Sequence, residues 1–302
     1  MQLRADQLFT QVHPVSRLGM FVQFPVVRIL IALMFLVPVL AINKAFKMAV
    51  YPALAGNTVV VMRYIEAAVF FALFVVAYRL YAKHIEKRPA LEMGMAGWAR
   101  EAGAGFLISF VLVSVIVGLL AVFGCYRIVS WSETPGVAVD LLFKFFMGAF
   151  LEELLFRLVL FKLTEELLGS WLALALQALL FGFSHLANEN ATVFTSFAIA
   201  IIGGLVETAA YMYTRRIWFP LGLHWGWNYL QSGIFGMPNS GSAYDGLLIP
   251  RITGPAWLTG GTFGIEASYI AILLCCVTGA ALVVRAQHRG QLVPPTWKRA
   301  TR

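Results

Sequence analysis

The sequence contains few charged residues. Asp, Glu, Lys and Arg make up only 13% of its 302 residues, whereas 60% are hydrophobic. A soluble domain of this length could not bury that much apolar surface, so the composition excludes the soluble globular class. Short segments of alternating hydrophobicity, which a transmembrane β-barrel needs, are also missing. The chain is therefore expected to be a polytopic membrane protein.

Cysteine is scarce as well. The three cysteines are Cys125, Cys275 and Cys276. Adjacent cysteines rarely pair with each other, and the third lies in no metal-ligand spacing, so the sequence predicts neither a disulfide framework nor a cysteine metal site.

Long apolar runs occupy most of the chain. A helix needs about 20 apolar residues to cross a bilayer. We predict an all-α, polytopic membrane helical bundle with about eight transmembrane helices, at residues 26–43, 59–80, 103–124, 138–161, 171–188, 192–213, 217–235 and 265–285. The charged stretch 83–100 is predicted to be a loop that holds an interfacial helix. The longest connection, 236–264, is rich in Gly, Pro, Ser and Thr.

The net charge of +8 follows the pattern of membrane topology, and we expect no nucleic-acid partner. With the N-terminus placed in the cytoplasm, the cytoplasmic segments hold 15 Lys and Arg residues and the outer segments hold 4, which favours both termini inside. The 15 are Arg4, Arg17, Arg79, Lys83, Lys87, Arg88, Arg100, Lys162, Arg215, Arg216, Arg285, Arg289, Lys298, Arg299 and Arg302. The outer four are Lys44, Lys47, Arg127 and Arg251.

Three charged residues lie in the apolar run 146–161. Glu153 and Arg157 are four residues apart, so a helix places them side by side as an ion pair. Glu152 is rotated by about 100° from Glu153 and lies off that stripe. It is the carboxylate left without a partner. Alternatively, both glutamates share Arg157 and serve only to hold helices together.

Two later segments repeat the spacing of four. Phe181 and His185 share one helix face, so the aromatic ring can wall the imidazole. His224 and Asn228 share another face. Taken singly, each pair is more often structural. Together, three helices supply carboxylates, imidazoles and an amide, which are the groups needed to activate water and to stabilise an oxyanion. Two glycines at the same spacing allow another backbone to approach closely: Gly222 and Gly226.

The remaining intramembrane charges are interpreted as structural. Glu66 follows Arg63 by three residues and is expected to pair with it. Arg28 is expected to extend its charge to the membrane surface. Glu266 is expected to cap the last span. Lys144 is placed in the outer part of the bundle, and Glu207 has no partner in sequence and is expected to line the cavity.

The motifs EELLFR (152–157), FGFSH (181–185) and HWGWN (224–228) resemble the E-E-x-x-x-R, F-x-x-x-H and H-x-x-x-N motifs of the CPBP family, also called the Abi or CAAX-protease family. The resemblance spans about residues 138–285. We therefore divide the chain into an N-terminal segment with three transmembrane helices and a basic loop (1–137), a CPBP/Abi-like catalytic helical core (138–285) and a basic tail (286–302).

By that resemblance the protein is an intramembrane glutamic endopeptidase. The resemblance implies that Glu152 activates water, that His185 positions this water, and that His224 and Asn228 stabilise the oxyanion. It assigns supporting roles to Glu153 and Arg157, and we add Phe181 as a support for His185. A metal-free site is expected. The alternative is zinc held by Glu152, His185 and His224, although the sequence lacks H-E-x-x-H.

The expected substrate is a membrane-embedded or lipidated protein or peptide, and the expected location is a bacterial cytoplasmic membrane. The alternative functions are a non-proteolytic membrane scaffold and a proton-coupled transporter. In the structure, Glu152 and His185 should be close enough to share a water, with His224 and Asn228 on the opposite wall of one cavity that opens to the cytoplasm or to lipid. The predicted span boundaries conflict with this, since they separate Glu152 and His185 in depth by about 10 Å or more.

Overall fold

A computed structural model describes residues 3–10, 16–134 and 136–299. Arg302, and the outermost residues of the predicted N-terminal segment and basic tail, lie outside these ranges. The described residues form a bundle of α-helices, which confirms the all-α class. The helices are α1 (Arg17–Gln23), α2 (Pro25–Val50), α3 (Asn57–His84), α4 (Trp98–Val122), α5 (Gly136–Glu153), α6 (Lys162–Ser184), α7 (Val193–Ile199), α8 (Val206–Thr214), α9 (Trp218–Asn228), α10 (Ala256–Thr259) and α11 (Tyr269–His288).

Among the described residues, six helical stretches are long and apolar enough to cross a membrane, so the chain is an integral membrane protein. They are Pro25–Ala53, Thr58–His84, Trp98–Val122, Gly136–Ala187, Val193–Thr214 and Tyr269–His288. The predicted count of eight is not confirmed. The seventh predicted span, 217–235, corresponds to α9 and a short π-helical continuation, and this pair is not among the six.

The stretch Gly136–Ala187 consists of two arms that fold back on each other. Its helix runs through α5, a π-helical segment (Leu154–Phe161) and the start of α6. It breaks at Gly169, whose φ of 77° favours glycine. After the break, the rings of Phe156 and Phe181 pack with their centroids 4.9 Å apart, which shows that the arms are antiparallel.

This hairpin corrects the predicted depth conflict. The first span was predicted to end at residue 161, but the helix continues to Gly169. Glu152 lies 17 residues before the break and His185 lies 16 residues after it. At 1.5 Å per residue, both are about 25 Å from the turn, so they lie at the same level.

Close packing of α4 against α9 fixes the helix that carries the third motif. A Cβ atom added at Gly222 would overlap the backbone of Ala102, and one added at Gly226 would press against Phe106 and Ser109. The predicted close approach at both glycines is thus confirmed.

A small antiparallel sheet, which the sequence did not indicate, joins two connections. Strand β1 (Tyr126–Trp131) pairs with β2 (Leu248–Ile252), with Tyr126 opposite Ile252. In the predicted loop 83–100, the described structure is a 3-10 helix at Leu91–Met93, flanked by the end of α3 and the start of α4.

Buried ion pairs hold the end of the bundle near Gly169. Arg28 is fully buried against Glu86 (3.4 Å) and Glu166 (2.6 Å), so the prediction that its charge reaches the membrane surface was wrong. Burial opposes ionisation of Glu92, which lies between spans, but Arg88 outweighs this effect and lowers the pKa of Glu92 to about 2. Further pairs at this end join Lys162 with Glu86 and Arg215 with Glu165.

The predicted local pair between Glu66 and Arg63 is also wrong. Glu66 pairs with Lys47 at 3.1 Å and accepts a hydrogen bond from Asn43 at 2.7 Å. Arg63 instead lies 3.8 Å from Asp140. Contacts between helices therefore replace the contact within α3.

Candidate active site

The three motifs meet around one cavity of about 310 Å³. Glu152 comes from the end of α5, His185 from the end of α6, and His224 and Asn228 from α9. All four line this cavity, as does Phe181. The fold thus brings together every residue that the sequence proposed as catalytic.

Glu152 lies between the two imidazoles. Its Oε2 atom is 3.9 Å from His185 Nε2 and 3.7 Å from His224 Nε2. These distances are too long for direct hydrogen bonds and suit groups that share a bridging molecule. Glu152 Oε2 is buried and accepts no hydrogen bond from the described residues, although 37% of the side chain is exposed. His224 was expected across the cavity, but it flanks the Glu152 carboxylate.

Glu153 lies outside the cavity lining and is fully buried. Arg157 Nη1 donates to its Oε1 atom at 3.0 Å, so the predicted pair is present. His224 Nδ1 lies 2.9 Å from the same oxygen. A carboxylate can only accept, so the hydrogen of this bond is on Nδ1 and the bond turns Nε2 toward Glu152.

Glu207 completes this buried cluster, and sequence reasoning had not assigned it a partner. Its Oε2 atom lies 2.8 Å from Arg157 Nη2 and 3.4 Å from His224 Nδ1. Arg157 also donates to the carbonyl of Gly203 at 2.6 Å. An isolated carboxylate in an apolar helix was a signal that could have marked Glu207, but its partners come from other helices.

π-helical segments border the site on all three motif helices. They are Leu154–Phe161, Ala200–Leu205 and Tyr229–Ile234. Arg157 belongs to the first and Gly203 to the second, so their hydrogen bond joins two π-helical segments directly. Such segments often occur at functional sites, because they reorient side chains within a helix.

His185 is oriented by its own helix. Its Nδ1 atom lies 2.8 Å from the carbonyl of Phe181, and the hydroxyl of Ser184 donates to that carbonyl too. A carbonyl only accepts, so Nδ1 carries the hydrogen and a neutral His185 presents Nε2 as an acceptor. The Phe181 ring packs 4.9 Å from the His185 ring and 4.6 Å from the Arg157 guanidinium carbon.

Asn228 is held by a residue that the sequence did not single out. The amide nitrogen of Asn239 donates to Asn228 Oδ1 at 3.0 Å. Because that oxygen is engaged, the NH₂ group of Asn228 is the part that remains for the cavity. Asn239 lies in the connection 236–264, where nothing in the local spacing indicated a contact with α9.

Glu266 anchors the same connection. It accepts hydrogen bonds from Gln231 Nε2 at 2.5 Å and from the Ser240 amide at 2.9 Å. Burial raises the pKa of Glu266 to about 7, against the effect of these donors. The predicted cap of the last span was wrong, because Ser268 caps α11.

A metal ion would find ligands here, although not in the predicted set. One ligand atom each from Glu153, Glu207 and His224 lie within 4.8 Å of one another. Arg157, however, already bonds both carboxylates, and its positive charge would repel a cation at that place.

Residues 134–230 match a family model described as Type II CAAX prenyl endopeptidase Rce1-like. Comparisons with curated proteins and with solved structures gave no match. The matched range includes all three motifs and ends before the connection 236–264. The description indicates a protease that acts at a membrane on a protein substrate. Residues 134–230 of this integral membrane protein form an Rce1-like domain of the CAAX protease family, which is the family that the three motifs resemble.

Proposed function

We propose that this protein is an intramembrane glutamic endopeptidase that hydrolyses a peptide bond in a membrane-embedded or lipidated protein. One observation carries the proposal. Of the two adjacent glutamates, Glu153 is neutralised by Arg157, whereas Glu152 has no cation partner and faces the cavity between two imidazoles. A carboxylate in that position can take a proton from water.

Glu152 and His185 prepare the nucleophile. A water between them donates one hydrogen to Glu152 and the other to His185 Nε2, which is the acceptor nitrogen. The lone pair of the water then points at the scissile carbonyl carbon. As the new C–O bond forms, the proton passes to Glu152. When the C–N bond breaks, Glu152 returns that proton to the leaving amine, so the glutamate ends as it began.

His224 and Asn228 stabilise the oxyanion that forms in between. The NH₂ group of Asn228 supplies one donor. His224 supplies another from Nε2 when its ring is doubly protonated, since Nδ1–H already bonds Glu153. Donors fixed in advance by the protein stabilise developing charge without reorganisation.

The buried cluster supports that protonated form by charge balance. Glu153 and Glu207 contribute two negative charges and Arg157 contributes one positive charge. An imidazolium at His224 makes the cluster neutral, and unbalanced charge is costly inside a protein. Phe181 supports the arrangement by packing on both His185 and Arg157.

The proposed chemistry uses no metal. Treatment of the purified protein with a chelator, followed by metal analysis, is expected to leave cleavage unchanged. Loss of cleavage on chelation, and its return with zinc, would favour the metalloprotease alternative.

The experiment that tests the function compares membranes that contain the wild type with membranes that contain Glu152→Gln. Gln keeps the shape and removes the base, so new protein termini that depend on Glu152 should disappear. Glu133→Gln is the matched control, because Glu133 is exposed between β1 and α5. Both variants should unfold at the wild-type temperature. Identical termini with wild type and Glu152→Gln would refute the proposal and favour the scaffold function.

A further inference from the structure

Lys144 lies on the same helix face as Glu152. The two residues are eight positions apart on α5, with Gly148 midway, and this spacing keeps all three on one side. All three line the site cavity. A Cβ atom added at Gly148 would meet nothing within 4 Å, so the surface between Lys144 and Glu152 is open.

Lys144 carries an unpaired positive charge. Among the residues that line the cavity it is the one Lys or Arg, and its ammonium makes no ion pair with a carboxylate of the described ranges 3–10, 16–134 and 136–299. Its Nζ lies 4.3 Å from the ring centroid of Tyr244. An aromatic face holds the ammonium in place and leaves its hydrogens for a ligand of negative charge.

The position of this charge fits one part of a peptide. Eight residues of helix separate Lys144 from Glu152 by about 12 Å. An extended chain covers that distance with about three to four residues. Tyr244 packs against Phe145 with ring centroids 5.2 Å apart, and borders the cavity beside Lys144. A chain that ends there presents its terminal carboxylate to the lysine.

Apolar walls favour a chain end over an acidic side chain. The lining includes Leu112, Phe145, Ile199, Val206 and Leu223. Residues between the cleaved bond and Lys144 therefore meet apolar surface, which suits apolar side chains. The terminal carboxylate is the negative charge that such a peptide still carries.

Lys144 also borders a second cavity, of about 660 Å³, between α2, α3 and α5. The other cations there are already paired, Lys47 with Glu66 and Arg63 with Asp140. A lipid phosphate in this second cavity is the rival ligand for Lys144, and the experiment below separates it from a peptide.

We propose that Lys144 binds the C-terminal carboxylate of the substrate and so selects a bond about three to four residues from the chain end. This rests on the proposed function, because it takes Glu152 as the site of cleavage. Lys144 is then a specificity-determining residue that contacts the substrate.

Binding of two synthetic peptides tests this directly. Both are the same N-acetylated apolar tetrapeptide, one with a free carboxylate and one with a C-terminal carboxamide. Their Kd values are measured by thermophoresis on the full chain in zwitterionic detergent. A hydrogen bond to a charged group is worth about 1.5–3 kcal/mol, so the wild type should bind the acid about 10- to 100-fold more tightly.

Two variants of Lys144 and one control define the outcome. Lys144→Met should bring the ratio of the two Kd values to about one, whereas Lys144→Arg should keep the preference for the acid. Lys47→Met changes a paired lysine of the neighbouring cavity and should leave the ratio at its wild-type value. Thermal unfolding of each variant shows that the fold is retained.

Three results would overturn the inference. They are failure of the wild type to bind the acid, equal binding of acid and amide, and a preference that persists in Lys144→Met. Displacement of neither peptide by phosphatidylglycerol is expected. Equal peptide binding together with tight, Lys144-dependent binding of that lipid would assign Lys144 to lipid instead. None of these results depends on cleavage, so failure here is distinct from failure of Glu152 as the base.

Discussion

Two neighbouring carboxylates have opposite surroundings because of a single helical step. Glu153 faces the protein interior, where Arg157 and His224 bond the same oxygen. Glu152 faces the cavity, with 37% of its side chain exposed. A base has to be reachable by water and free of a cation that would hold its proton-accepting oxygen, and only Glu152 meets both conditions.

Arg157→Ala should reduce the free energy of unfolding as well as activity. The change leaves the buried carboxylates of Glu153 and Glu207 without their cation. Removing one partner of a buried ion pair costs about 3–5 kcal/mol. Unfolding of the variant in detergent by heat or denaturant should show a loss of this size.

Compensating variants check the cause of that loss. Glu153→Gln with Arg157→Ala should recover part of the stability, and the further change Glu207→Gln should recover more, since Arg157 pairs with both carboxylates. A single Arg157→Ala variant with wild-type stability would show that the cluster contributes nothing to the fold.

Asn239→Ala should lower kcat by about 10-fold while KM changes little. Asn239 fixes the side-chain oxygen of Asn228, and without it the amide can rotate away from the oxyanion. Loss of one oxyanion donor costs about 100- to 1,000-fold, so Asn228→Ala should be the more severe change. An equal rise in KM, with kcat unchanged, would point to substrate binding instead.

Residue spacing predicted contacts within a helix and missed contacts between helices. Glu153 and Arg157 could be paired from sequence, because four residues complete about one helical turn. Glu207 and Asn239 could not be placed, because their partners lie 50 and 11 residues away in the chain. The predicted pair of Arg63 and Glu66 failed for the same reason, since stronger partners come from α2 and α5.

Packing of α4 against α9 positions His224 at the level of the element. Gly222→Ala should lower the free energy of unfolding by about 1–3 kcal/mol, because its methyl group would overlap the backbone of Ala102. Since His224 is two residues away, activity should fall as well. Chemical denaturation in detergent measures the first effect and peptide cleavage the second.

A glycine on the facing helix provides the matched control. Gly103→Ala adds the same methyl group to α4, where it meets nothing within 4 Å. Alanine also favours a helix over glycine by about 1 kcal/mol, so this variant should be at least as stable as the wild type. Equal destabilisation by both changes would argue against close helix contact as the cause.

Helix boundaries were harder to predict than helix existence. The run Lys162–Glu166 contains three charged residues and was taken for the end of a span. Its charges are buried in ion pairs with Glu86, Arg215 and Arg28, so the helix continues. Hydropathy alone cannot anticipate partners of this kind. The π-helical segments beside the site also left no mark in the apolar pattern.

The whole molecule has two unlike ends. One end holds Gly169, the loop 85–97 and most of the cations that the topology count placed in the cytoplasm. The other holds β1, β2 and the connection 236–264, whose Asn239 and Tyr244 line the site cavity. Several cytoplasmic cations are buried in ion pairs, but acidic partners contribute little to the topology rule. The charge distribution therefore still predicts that the Gly169 end faces the cytoplasm.

Two exposed alanines, one at each end, test that orientation. Ala243→Cys lies in the connection beside the cavity, and Ala99→Cys lies in the first turn of α4 near the loop 85–97. With cytoplasmic termini, a membrane-impermeant thiol reagent should label Ala243→Cys in intact cells and Ala99→Cys only after permeabilisation. The native cysteines are buried or half-buried, so the parent protein gives the background. The reverse labelling pattern would place the Gly169 end outside and the cavity on the cytoplasmic side, and substrates would then have to come from the cytoplasm.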